Sequence, residues 1–388
     1  MKVGIIGQGY VGLSLSVSVA GAGHQVLGYD TDSELVIRLS KGESHIEGVS
    51  LSDIDNYTPT NNPSDLKDVE IVIIAVSTPL DAERKPDLSY LIGACEVIAA
   101  NIKNRALIIN ESTSFPGTLR DLISKSIEEK TNLGHLYAAS PERVDPGNPV
   151  WNQTNTPRLV AGLTDEAKKK AAEFYGGFCA HVVTVSSPEV AEAAKLFENT
   201  FRQVNIAMVN ELAQISHGLD IDVREVLDAA ATKPFGFMKF NPGLGVGGHC
   251  IPVDPSYLSF AAENVGVEAS FIDLANEINL EMPSYVANRI STEIGGLTGK
   301  KVLVAGLSYK ANVSDLRESP SVLLVDALEV LGATVIKHDP LIPGTDPISK
   351  CDVAILAVAH DQINKDEFMN SAPFIFDCTG TLPKAHGL

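Results

Sequence analysis

Short apolar runs rich in β-branched residues alternate, along the first part of the chain, with stretches of helical periodicity. The first two runs occupy Lys2–Ile6 and Gln25–Tyr29, and others follow at residues 70–76, 106–110 and 136–140. Strands that alternate with helices are typical of a parallel sheet covered on both faces. The pattern therefore predicts a doubly wound α/β domain over residues 1–185.

The middle of the chain, residues 186–295, is predicted to be all helical. Residues 186–189 read Ser-Ser-Pro-Glu, a capping-box start with proline in the first turn. The pattern then runs to about His217 with Gly218 as its stop, and about 31 residues of helix span about 45 Å. Such a helix can connect two domains, and its apolar face is a candidate surface for a homodimer. Further helices are predicted at residues 222–232, 255–265 and 270–293, the last with a candidate bend at Pro283.

The last part of the chain, residues 296–388, repeats the pattern of the first. Residues 332–339 (Gly-Ala-Thr-Val-Ile-Lys-His-Asp) parallel residues 23–30 (Gly-His-Gln-Val-Leu-Gly-Tyr-Asp). Strand-like runs lie at 300–307, 334–338, 352–358 and 374–378. This half-domain lacks a glycine fingerprint and is expected to bind a different nucleotide or a sugar phosphate. The predicted fold is thus α/β, with two Rossmann-like doubly wound parallel-sheet domains joined by a central all-helical domain that contains one long connecting helix.

Composition narrows the class of protein. The 388 residues carry a formal net charge of −19, which argues against nucleic acid as a partner because a phosphate backbone would be repelled. No apolar segment approaches the roughly 18–20 residues of a membrane span, and no signal pattern follows Met1. The five cysteines have neither paired nor zinc-ligand spacing. We therefore expect a cytoplasmic protein in a reducing compartment, with no membrane partner and no structural metal.

The first predicted strand leads into a glycine-rich turn that opens a helix. The turn reads Gly7-Gln8-Gly9-Tyr10-Val11-Gly12. Asp30 follows the second strand. This context predicts a dinucleotide site, with the pyrophosphate at the helix N-terminus and the carboxylate on the ribose hydroxyls. A purely structural strand–turn–helix corner is the alternative. Asp30 favours NAD over NADP because a carboxylate would repel a 2′-phosphate.

Hydroxyl side chains follow the next predicted strands. Thr78 comes after the strand at 70–76, and Ser112 and Thr113 come after the strand at 106–110. Ligands bind beyond the carboxyl ends of strands in such sheets, so these residues are expected on the nicotinamide side of the site. Capping of a helix is the alternative, above all for Ser112.

Charged residues at two further places are candidate site residues. The loop at 141–147 carries Glu142 and Arg143 together, although solvated surface charges would read in the same way. On the long helix, Lys195 and Asn199 are four residues apart and lie on one side, where they interrupt an apolar face. A snorkelling surface lysine is the alternative to a site wall.

The segment 241–257 concentrates glycines just before a cysteine. The glycines are Gly243, Gly245, Gly247 and Gly248. Glycine buries little and costs ordering entropy, so we expect these positions to let the backbone pass close to a ligand and to present Cys250. Two groups that can handle protons, His249 and Asp254, lie beside the thiol in sequence.

Basic residues near this segment suit an anionic ligand. Lys239 lies among phenylalanines, which fits a ligand with a phosphate and a ring, or an ordinary aromatic-lined connection. Lys310 and Arg317 occupy the loop where the first domain has its glycines, and Arg317 could hold a phosphate there. An ion pair with Asp315 or Glu318 is the competing explanation for Arg317.

A NAD fold and a presented thiol in one chain suggest an oxidation through a covalent thiol adduct. NAD alone takes an alcohol to an aldehyde. A thiolate converts the aldehyde into a thiohemiacetal, which a second NAD oxidises to a thioester that water hydrolyses to an acid. The cysteine must be a thiolate, so a positive charge is required nearby.

The chain resembles the UDP-glucose/GDP-mannose dehydrogenase family over essentially its whole length. The motifs that carry the resemblance are Gly7-x-Gly9-Tyr10-Val11-Gly12, Glu111-Ser112-Thr113, Lys195-x-x-x-Asn199, Asn210-Glu211, Gly247-Gly248-His249-Cys250, Asp254-Pro255 and Asp315-Leu316-Arg317-Glu318-Ser319-Pro320. One departure is Leu244, where the family commonly has proline. The resemblance implies a four-electron, two-NAD oxidation of C6 of a nucleotide sugar. It also implies an NAD domain, a central dimerisation domain and a C-terminal UDP-binding domain.

The resemblance assigns roles to individual residues of this chain. The implied catalytic roles are nucleophile (Cys250), oxyanion stabilisation (Lys195 with Asn199), positioning or activation of a water (Asp254 and Thr113) and assistance to thioester hydrolysis (Glu142). The expected NAD contacts are Gly7, Gly9, Tyr10, Val11, Gly12, Asp30, Thr78 and Thr113. The expected UDP-sugar contacts are Glu142, Arg143, Val144, Lys195, Asn199, Lys239, Gly247, His249, Lys310 and Arg317.

Two segments point to a subgroup of this family. Pro-Glu-Arg-Val-x-Pro-Gly at 141–147 and Gly-His-Cys-Ile-Pro-Val-Asp at 248–254 resemble the UDP-N-acetylhexosamine 6-dehydrogenases, which act on UDP-N-acetylglucosamine or UDP-N-acetylmannosamine. Arg143 and His249 are donors that could reach the acetamido oxygen or a sugar hydroxyl. UDP-glucose oxidation is the alternative within the class. A two-electron NAD alcohol dehydrogenase and a non-catalytic nucleotide-sugar sensor are the alternatives outside it.

Overall fold

The computed structural model of the protein describes residues 1–46, 48–52, 54–144, 148, 150–383 and 385–388. The end of the loop predicted at 141–147, with its Pro-Gly pair, therefore lies outside the described residues. The chain divides into two compact units. The first unit comprises Met1–Phe197 and Phe260–Val265, and the second unit comprises Glu198–Ser259 and Gly266–Leu388.

The first unit is built on a mostly parallel sheet. Its strands are β1 (Lys2–Ile6), β2 (Gln25–Tyr29), β3 (Tyr57–Thr60), β4 (Ile71–Ile74), β5 (Leu107–Asn110), β6 (Leu136–Ala139), β7 (Arg158–Gly162) and β8 (Val182–Thr184). Their order is β3-β2-β1-β4-β5-β6-β7-β8, whose first part is the strand order of dinucleotide-binding folds. The β6–β7 pair is antiparallel, and the other neighbouring pairs are parallel.

Helices cover both faces of this sheet. They are α1 (Tyr10–Gly21), α2 (Ser33–Ser40), α3 (Ser89–Asn101), α4 (Lys125–Thr131) and α5 (Asp165–Gly176), with a 3₁₀ helix at Pro63–Asp68 and a π-helical segment at Thr118–Ser124. Strand β4 shows why the sheet lies between two layers. Val72 and Ile74 pack with α3, whereas Ile71 and Ile73 pack with α1 and α5. A strand that is buried on both faces needs apolar residues at successive positions, as β4 has.

Helix α6 (Pro188–Gly218) is the long helix predicted from the sequence, and it contributes residues to both units. The helices that follow are α7 (Val223–Ala231), α8 (Asp254–Asn264) and α9 (Ser270–Ile294). Asp222 caps α7 by accepting from the backbone N–H groups of Arg224 and Glu225, as expected for this residue type. Helix α9 continues through Pro283.

The second unit contains a smaller parallel sheet. Its remaining elements are β9 (Lys301–Ala305), α10 (Pro320–Val330), β10 (Thr334–His338), β11 (Val353–Leu356), α11 (Lys365–Met369), β12 (Phe374–Asp377) and β13 (His386–Gly387). The strand order is β10-β9-β11-β12-β13, another doubly wound order. Met282, Val286 and Ile290 of α9 pack with Leu324 and Leu328 of α10 in the core of this unit. The predicted α/β fold with two Rossmann-like sheets is confirmed.

Candidate active site

The glycines after β1 have two different functions. Gly7 has a φ of +91°, and a Cβ on Gly12 would lie 1.8 Å from the Gly7 carbonyl oxygen. These two positions therefore require glycine for the close packing of β1 against α1. A Cβ on Gly9 would meet no atom within 4 Å. The free space at Gly9, at the N-terminus of α1, fits the pyrophosphate of a dinucleotide.

Asp30 is held at the end of β2 beside this turn. One of its carboxylate oxygens accepts from the Gln8 backbone N–H (2.7 Å), and the other accepts from the Asp32 backbone N–H (3.0 Å). The Tyr57 hydroxyl donates to the Gln8 side chain at 2.9 Å and so supports the same corner. The residues present thus fit NAD, with Asp30 in the position of the acid that binds ribose hydroxyls in such folds.

Tyr10 and Val11 form the first turn of α1, and Tyr10 is partly exposed. Thr78 and Thr113 are both buried. The Ser112 hydroxyl donates to the Val76 carbonyl at 2.9 Å. Ser112 therefore joins the segments that follow β4 and β5. This structural role differs from both roles considered for it in the sequence, a site residue and a helix cap.

Lys195 lies in the first unit and does not snorkel. Its side chain is buried, and its ammonium donates to the Thr113 hydroxyl. The interpretation of Lys195 as a surface residue is therefore wrong. A buried lysine beside a threonine is a positive charge held in place, able to stabilise negative charge that develops on a ligand.

Glu192, one turn before Lys195, was not recognised in the sequence. Its buried carboxylate accepts from the backbone N–H groups of Gly117 (2.9 Å) and Leu119 (3.1 Å) and from the Ser114 hydroxyl (3.2 Å). Burial raises its pKa to about 7 although these hydrogen bonds oppose the shift. Glu192 fixes the start of α6 to the loop that follows Thr113. The signal available in the sequence was a glutamate among apolar residues near the start of a predicted helix.

In the described part of the loop after β6, residues 141–144, Glu142 is not a solvated surface charge. Glu142 is largely buried, and it accepts from the backbone N–H groups of Arg143 and Val144 (2.7 Å each) and from Gln153 Nε2 (2.8 Å). Arg158 Nη2 lies 3.1 Å from Oε2, the same oxygen that accepts from Gln153. Burial opposes ionisation of Glu142, but Arg158, Gln153 and the two amides outweigh burial and lower its pKa. Glu142 is therefore held as an ionised carboxylate.

In the second unit, Cys250 is exposed. Its carbonyl accepts from the Asp254 backbone N–H at 2.9 Å, so the cysteine is tied to the first turn of α8. Asp254 is fully buried, and its carboxylate accepts from the Asn199 side chain. Asn199 and Asp254, which the sequence assigned separately, are thus hydrogen-bonded partners in this unit.

The loop that leads to Cys250 approaches its own chain closely. A Cβ on Gly247 would lie 2.8 Å from the Glu318 carbonyl and from Tyr309, and one on Gly248 would overlap the Tyr309 ring. A Cβ on Gly245 would lie 2.4 Å from the Asn279 carbonyl oxygen. At these three positions the close neighbour that requires glycine is the chain itself, and contact of the Gly247 backbone with a ligand stays a prediction.

The remaining glycine of this loop has open space around it. A Cβ on Gly243 would meet no atom within 4 Å. Its backbone N–H donates to Asn210 Oδ1 at 2.9 Å, and Asn210 Nδ2 donates to Asn279 Oδ1 at 2.9 Å. Leu244, where the family commonly has proline, is buried in the core of this unit. Buried amides and one buried leucine therefore fix the path of the loop.

Arg317 forms the ion pair that competed with phosphate binding in the sequence. Its guanidinium lies 2.6 Å from Asp315, which raises its pKa and lowers that of the carboxyl. Arg317 also interacts electrostatically with Cys250, and Asp315 with His249, and these interactions add to the two shifts. Arg317 is therefore positive charge in the surroundings of the thiol.

The other predicted ligand-binding residues differ in their contacts and exposure. Lys239 pairs with Asp228, and Arg143 donates to the Pro157 carbonyl at 2.8 Å. Lys310 and His249 are partly exposed. In the part of the chain that the structure describes, no helix has the length and apolarity needed to cross a membrane.

A dinucleotide fold in the first unit and an exposed thiol beside positive charge in the second define an NAD-dependent oxidoreductase. Models of the UDP-glucose/GDP-mannose dehydrogenase family match the chain over their NAD binding domain (residues 1–178), central domain (189–281) and UDP binding domain (303–384). The chain belongs to this family. The predicted family and the predicted NAD cofactor are confirmed.

Individual relatives are similar along nearly the whole chain. A UDP-N-acetyl-D-mannosamine dehydrogenase of Pyrococcus horikoshii is 34% identical, over 93% of this chain and 90% of that protein. A UDP-N-acetyl-D-glucosamine 6-dehydrogenase of Pseudomonas aeruginosa is 33% identical, over 93% and 91%. The solved structure of UDP-D-ManNAc dehydrogenase from Pyrococcus horikoshii has a TM-score of 0.89 at 30% identity and covers 99% of this chain and 96% of that one.

Proposed function

We propose that this protein oxidises the C6 hydroxyl of a UDP-N-acetylhexosamine to a carboxylate, through a thiohemiacetal and a thioester on Cys250. NAD accepts one hydride in each of the two oxidations. The substrate class is supported by the relatives that act on UDP-N-acetylmannosamine and UDP-N-acetylglucosamine. The division into an NAD domain (1–185), a helical domain (186–295) and a UDP-sugar domain (296–388) is part of the proposal.

The observation that carries the mechanism is the environment of Cys250. Its thiol is exposed, and the charge of Arg317 acts on it. A cationic neighbour favours the thiolate, which is the nucleophile. The sulfur adds to the C6 aldehyde carbon, and the resulting oxyanion takes a proton to give the thiohemiacetal. Loss of a hydride and a proton then leaves the thioester.

Hydrolysis completes the sequence. Water attacks the thioester carbonyl carbon, the C–S bond breaks, and Cys250 leaves as a thiolate. In this proposal Glu142 accepts the proton of the water, and Lys195 and Asn199 stabilise the negative charge on the carbonyl oxygen. Asp254 and Thr113 position or activate the attacking water. Because the cysteine must be a thiol at the start, we propose a reducing, cytoplasmic setting.

The decisive experiment counts NADH released per substrate. UDP-glucose, UDP-N-acetylglucosamine, UDP-N-acetylmannosamine and UDP-N-acetylgalactosamine are tested with wild type, Cys250→Ser and the control Cys351→Ser. We expect two NADH and an acid from an N-acetylated sugar, loss of the acid with Cys250→Ser, and wild-type behaviour of Cys351→Ser. One NADH per substrate with no effect of Cys250→Ser would instead establish a two-electron alcohol dehydrogenase. Turnover of UDP-glucose alone would show that the substrate is UDP-glucose and not an N-acetylated sugar.

Arg143 and His249 are proposed to read the acetamido group or a sugar hydroxyl. Each is replaced by alanine, and kcat/KM is compared for the preferred N-acetylated sugar and its plain counterpart. Loss of one hydrogen bond to a neutral group costs about 0.5–1.5 kcal/mol, so a selectivity change of roughly 2- to 10-fold is expected. Unchanged selectivity would remove the residue from this role.

We further propose that two copies of the chain associate through α6. Phe201, Met208, Ile215 and Leu219 are apolar, follow one another at helical spacings and are each more than two-fifths exposed. A second copy would cover such a face. Light scattering of Met208→Glu/Ile215→Glu should show a smaller particle than wild type. Val330→Glu, at an even more exposed apolar position on α10, is the control and should leave the particle unchanged.

A further inference from the structure

The first unit contains a group of buried polar side chains around Arg158. Glu111 follows β5, Arg158 begins β7, Tyr175 lies near the end of α5, and Glu142 follows β6. The side chains of Glu111 and Arg158 are 0% and 4% exposed, and that of Glu142 is 12% exposed. Their positions bring two acids and one base together away from water.

One guanidinium serves both carboxyl groups. Arg158 Nη1 lies 2.9 Å from Glu111, and Arg158 Nη2 lies 3.1 Å from Glu142. The Arg158 plane is fixed by a further bond from Nη2 to Gln153 Oε1 (2.7 Å), and its carbon lies 4.8 Å from the centre of the Tyr175 ring. The Tyr175 hydroxyl donates to the other oxygen of Glu111. With both acids ionised, this group would carry one unbalanced negative charge.

An unbalanced buried charge is costly, and a proton on one carboxyl removes it. Burial and the neighbouring charge of Glu142 raise the pKa of Glu111 to about 7, although Arg158 and Tyr175 oppose the shift. The Glu142 backbone N–H also donates to the Glu111 backbone carbonyl at 3.3 Å, which keeps the two residues side by side. Glu142 has a lowered pKa. Glu111 is therefore the member that holds the proton.

We propose that Glu111 and Glu142 form a carboxyl pair that holds a single proton, and that the charge state of Glu111 sets how strongly Glu142 accepts a proton from the hydrolytic water. This inference rests on the proposed function of Glu142. Glu111 acts through Glu142 and is a positioning residue. Because Arg158 binds both carboxyl groups, we expect each acid to keep Arg158 as its partner when Glu111 gains or loses its proton.

The direction of the effect follows from the charges. When Glu111 is neutral, the whole charge of Arg158 acts on Glu142, which is then a weak base. When Glu111 loses its proton, a negative charge is added next to Glu142, and its affinity for a proton rises. Hydrolysis of the thioester should therefore accelerate as the pH rises through the titration of Glu111. The other titratable groups near the pair are Tyr175 and Cys179, both with raised pKa values, so they stay neutral in this range.

Two variants separate this role from a structural one. Glu111→Gln has the shape of the protonated acid and cannot titrate. Tyr175→Phe keeps Glu111 but removes the hydroxyl that stabilises its ionised form, so the titration should move to higher pH. The first readout needs no substrate: infrared difference spectra follow the C=O stretch of protonated carboxyl groups across a pH range that brackets 7. Glu192, whose pKa is also raised to about 7, contributes a second such band, so the Glu111 band is the one that Glu111→Gln removes.

The second readout is the rate at which the sugar thioester disappears from the protein in a single turnover, followed by intact mass after quenching. In wild type we expect the infrared band to titrate near pH 7 and the rate to rise with it. In Glu111→Gln the band should be absent and the rate independent of pH. Should Glu111→Gln not fold, the shift in Tyr175→Phe decides.

The outcomes distinguish this inference from the proposed function. A pH-dependent rate that is the same in Glu111→Gln as in wild type overturns the inference, as does a titrating carboxyl spectrum that is the same in both proteins. If no UDP-sugar yields a thioester, the proposed function fails, yet the infrared titration still shows whether the pair holds one proton.

Discussion

The glycine turn after β1 allows a prediction that separates folding from cofactor binding. A methyl group on Gly12 would lie 1.8 Å from the Gly7 carbonyl oxygen, whereas one on Gly9 would meet no atom within 4 Å. Gly12→Ala should therefore destabilise the first unit. Gly9→Ala should leave the fold intact and place its methyl group where the pyrophosphate of NAD lies.

Magnitudes follow from these distances. Overpacking costs about 1–3 kcal/mol, and alanine in a helix returns up to about 1 kcal/mol. A contact of 1.8 Å with a backbone oxygen calls for the upper end of that range, so the net loss for Gly12→Ala is about 2 kcal/mol, which lowers the Tm of a domain of this size by roughly 4–8 °C. Gly9 has a φ of −67°, which alanine adopts freely, so its Tm should hardly change. The same overpacking against bound NAD should weaken binding roughly 5- to 150-fold.

Calorimetric unfolding and isothermal titration with NAD measure the two effects. Gly21→Ala, on the same helix with open space around it, is the matched control. It should not lower the Tm, and it should leave the affinity for NAD unchanged. If Gly9→Ala binds NAD as tightly as wild type, Gly9 is not where the pyrophosphate lies. If Gly12→Ala keeps the wild-type Tm, the packing explanation is wrong.

Three further predictions concern stability. Arg158→Met leaves two buried carboxyl groups without their cation, and urea unfolding should show a loss of about 3–5 kcal/mol; a loss under 1 kcal/mol would contradict this reading. Because burial raises the pKa of Glu192 from 4.5 to about 7, its folded-state proton stabilises the protein at low pH, and that contribution disappears as the pH rises from 4.5 to 7. At about 1.4 kcal/mol per pKa unit, wild type should lose roughly 3 kcal/mol relative to Glu192→Gln over this range, and parallel pH profiles would refute it. Gly245→Ala, which would place a Cβ 2.4 Å from the Asn279 carbonyl oxygen at positive φ, should lower the Tm of the second unit, whereas Gly243→Ala should not.

Local patterns predicted the start of the fold well. Strands β1 and β2 have the predicted bounds because a turn residue follows each apolar run, Gly7 after β1 and Asp30 after β2. Helix α6 agrees within a residue of its predicted end at His217. Elements with weaker patterns were not predicted. Strand β8 is only three residues long, and β7 joins the sheet antiparallel to β6, a direction that no local pattern encodes.

The candidate site could be predicted by residue type but not by environment. The sequence showed that Glu142 was charged, and it could not show that Arg158, on another strand, keeps it buried and ionised. It showed that the loop before Cys250 needed glycine, but not that the close neighbours are Tyr309 and the Asn279 backbone. Both failures have one cause, since the partner is distant in the chain and its identity depends on tertiary packing.

The second sheet also ends one of its strands in an acid, Asp339, as β2 does in Asp30. The carboxylate of Asp339 is buried and accepts from the backbone N–H groups of Leu307 and Ser308. His360 Nδ1 accepts from the Asn312 backbone N–H, so its Nε2 carries the proton and donates to Asp339 at 3.1 Å. The imidazole thus closes over the oxygen that a ribose diol would need. The chain should therefore show a binding stoichiometry of one NAD per polypeptide, because the second sheet has neither the glycine turn nor an acid that is open to a ribose.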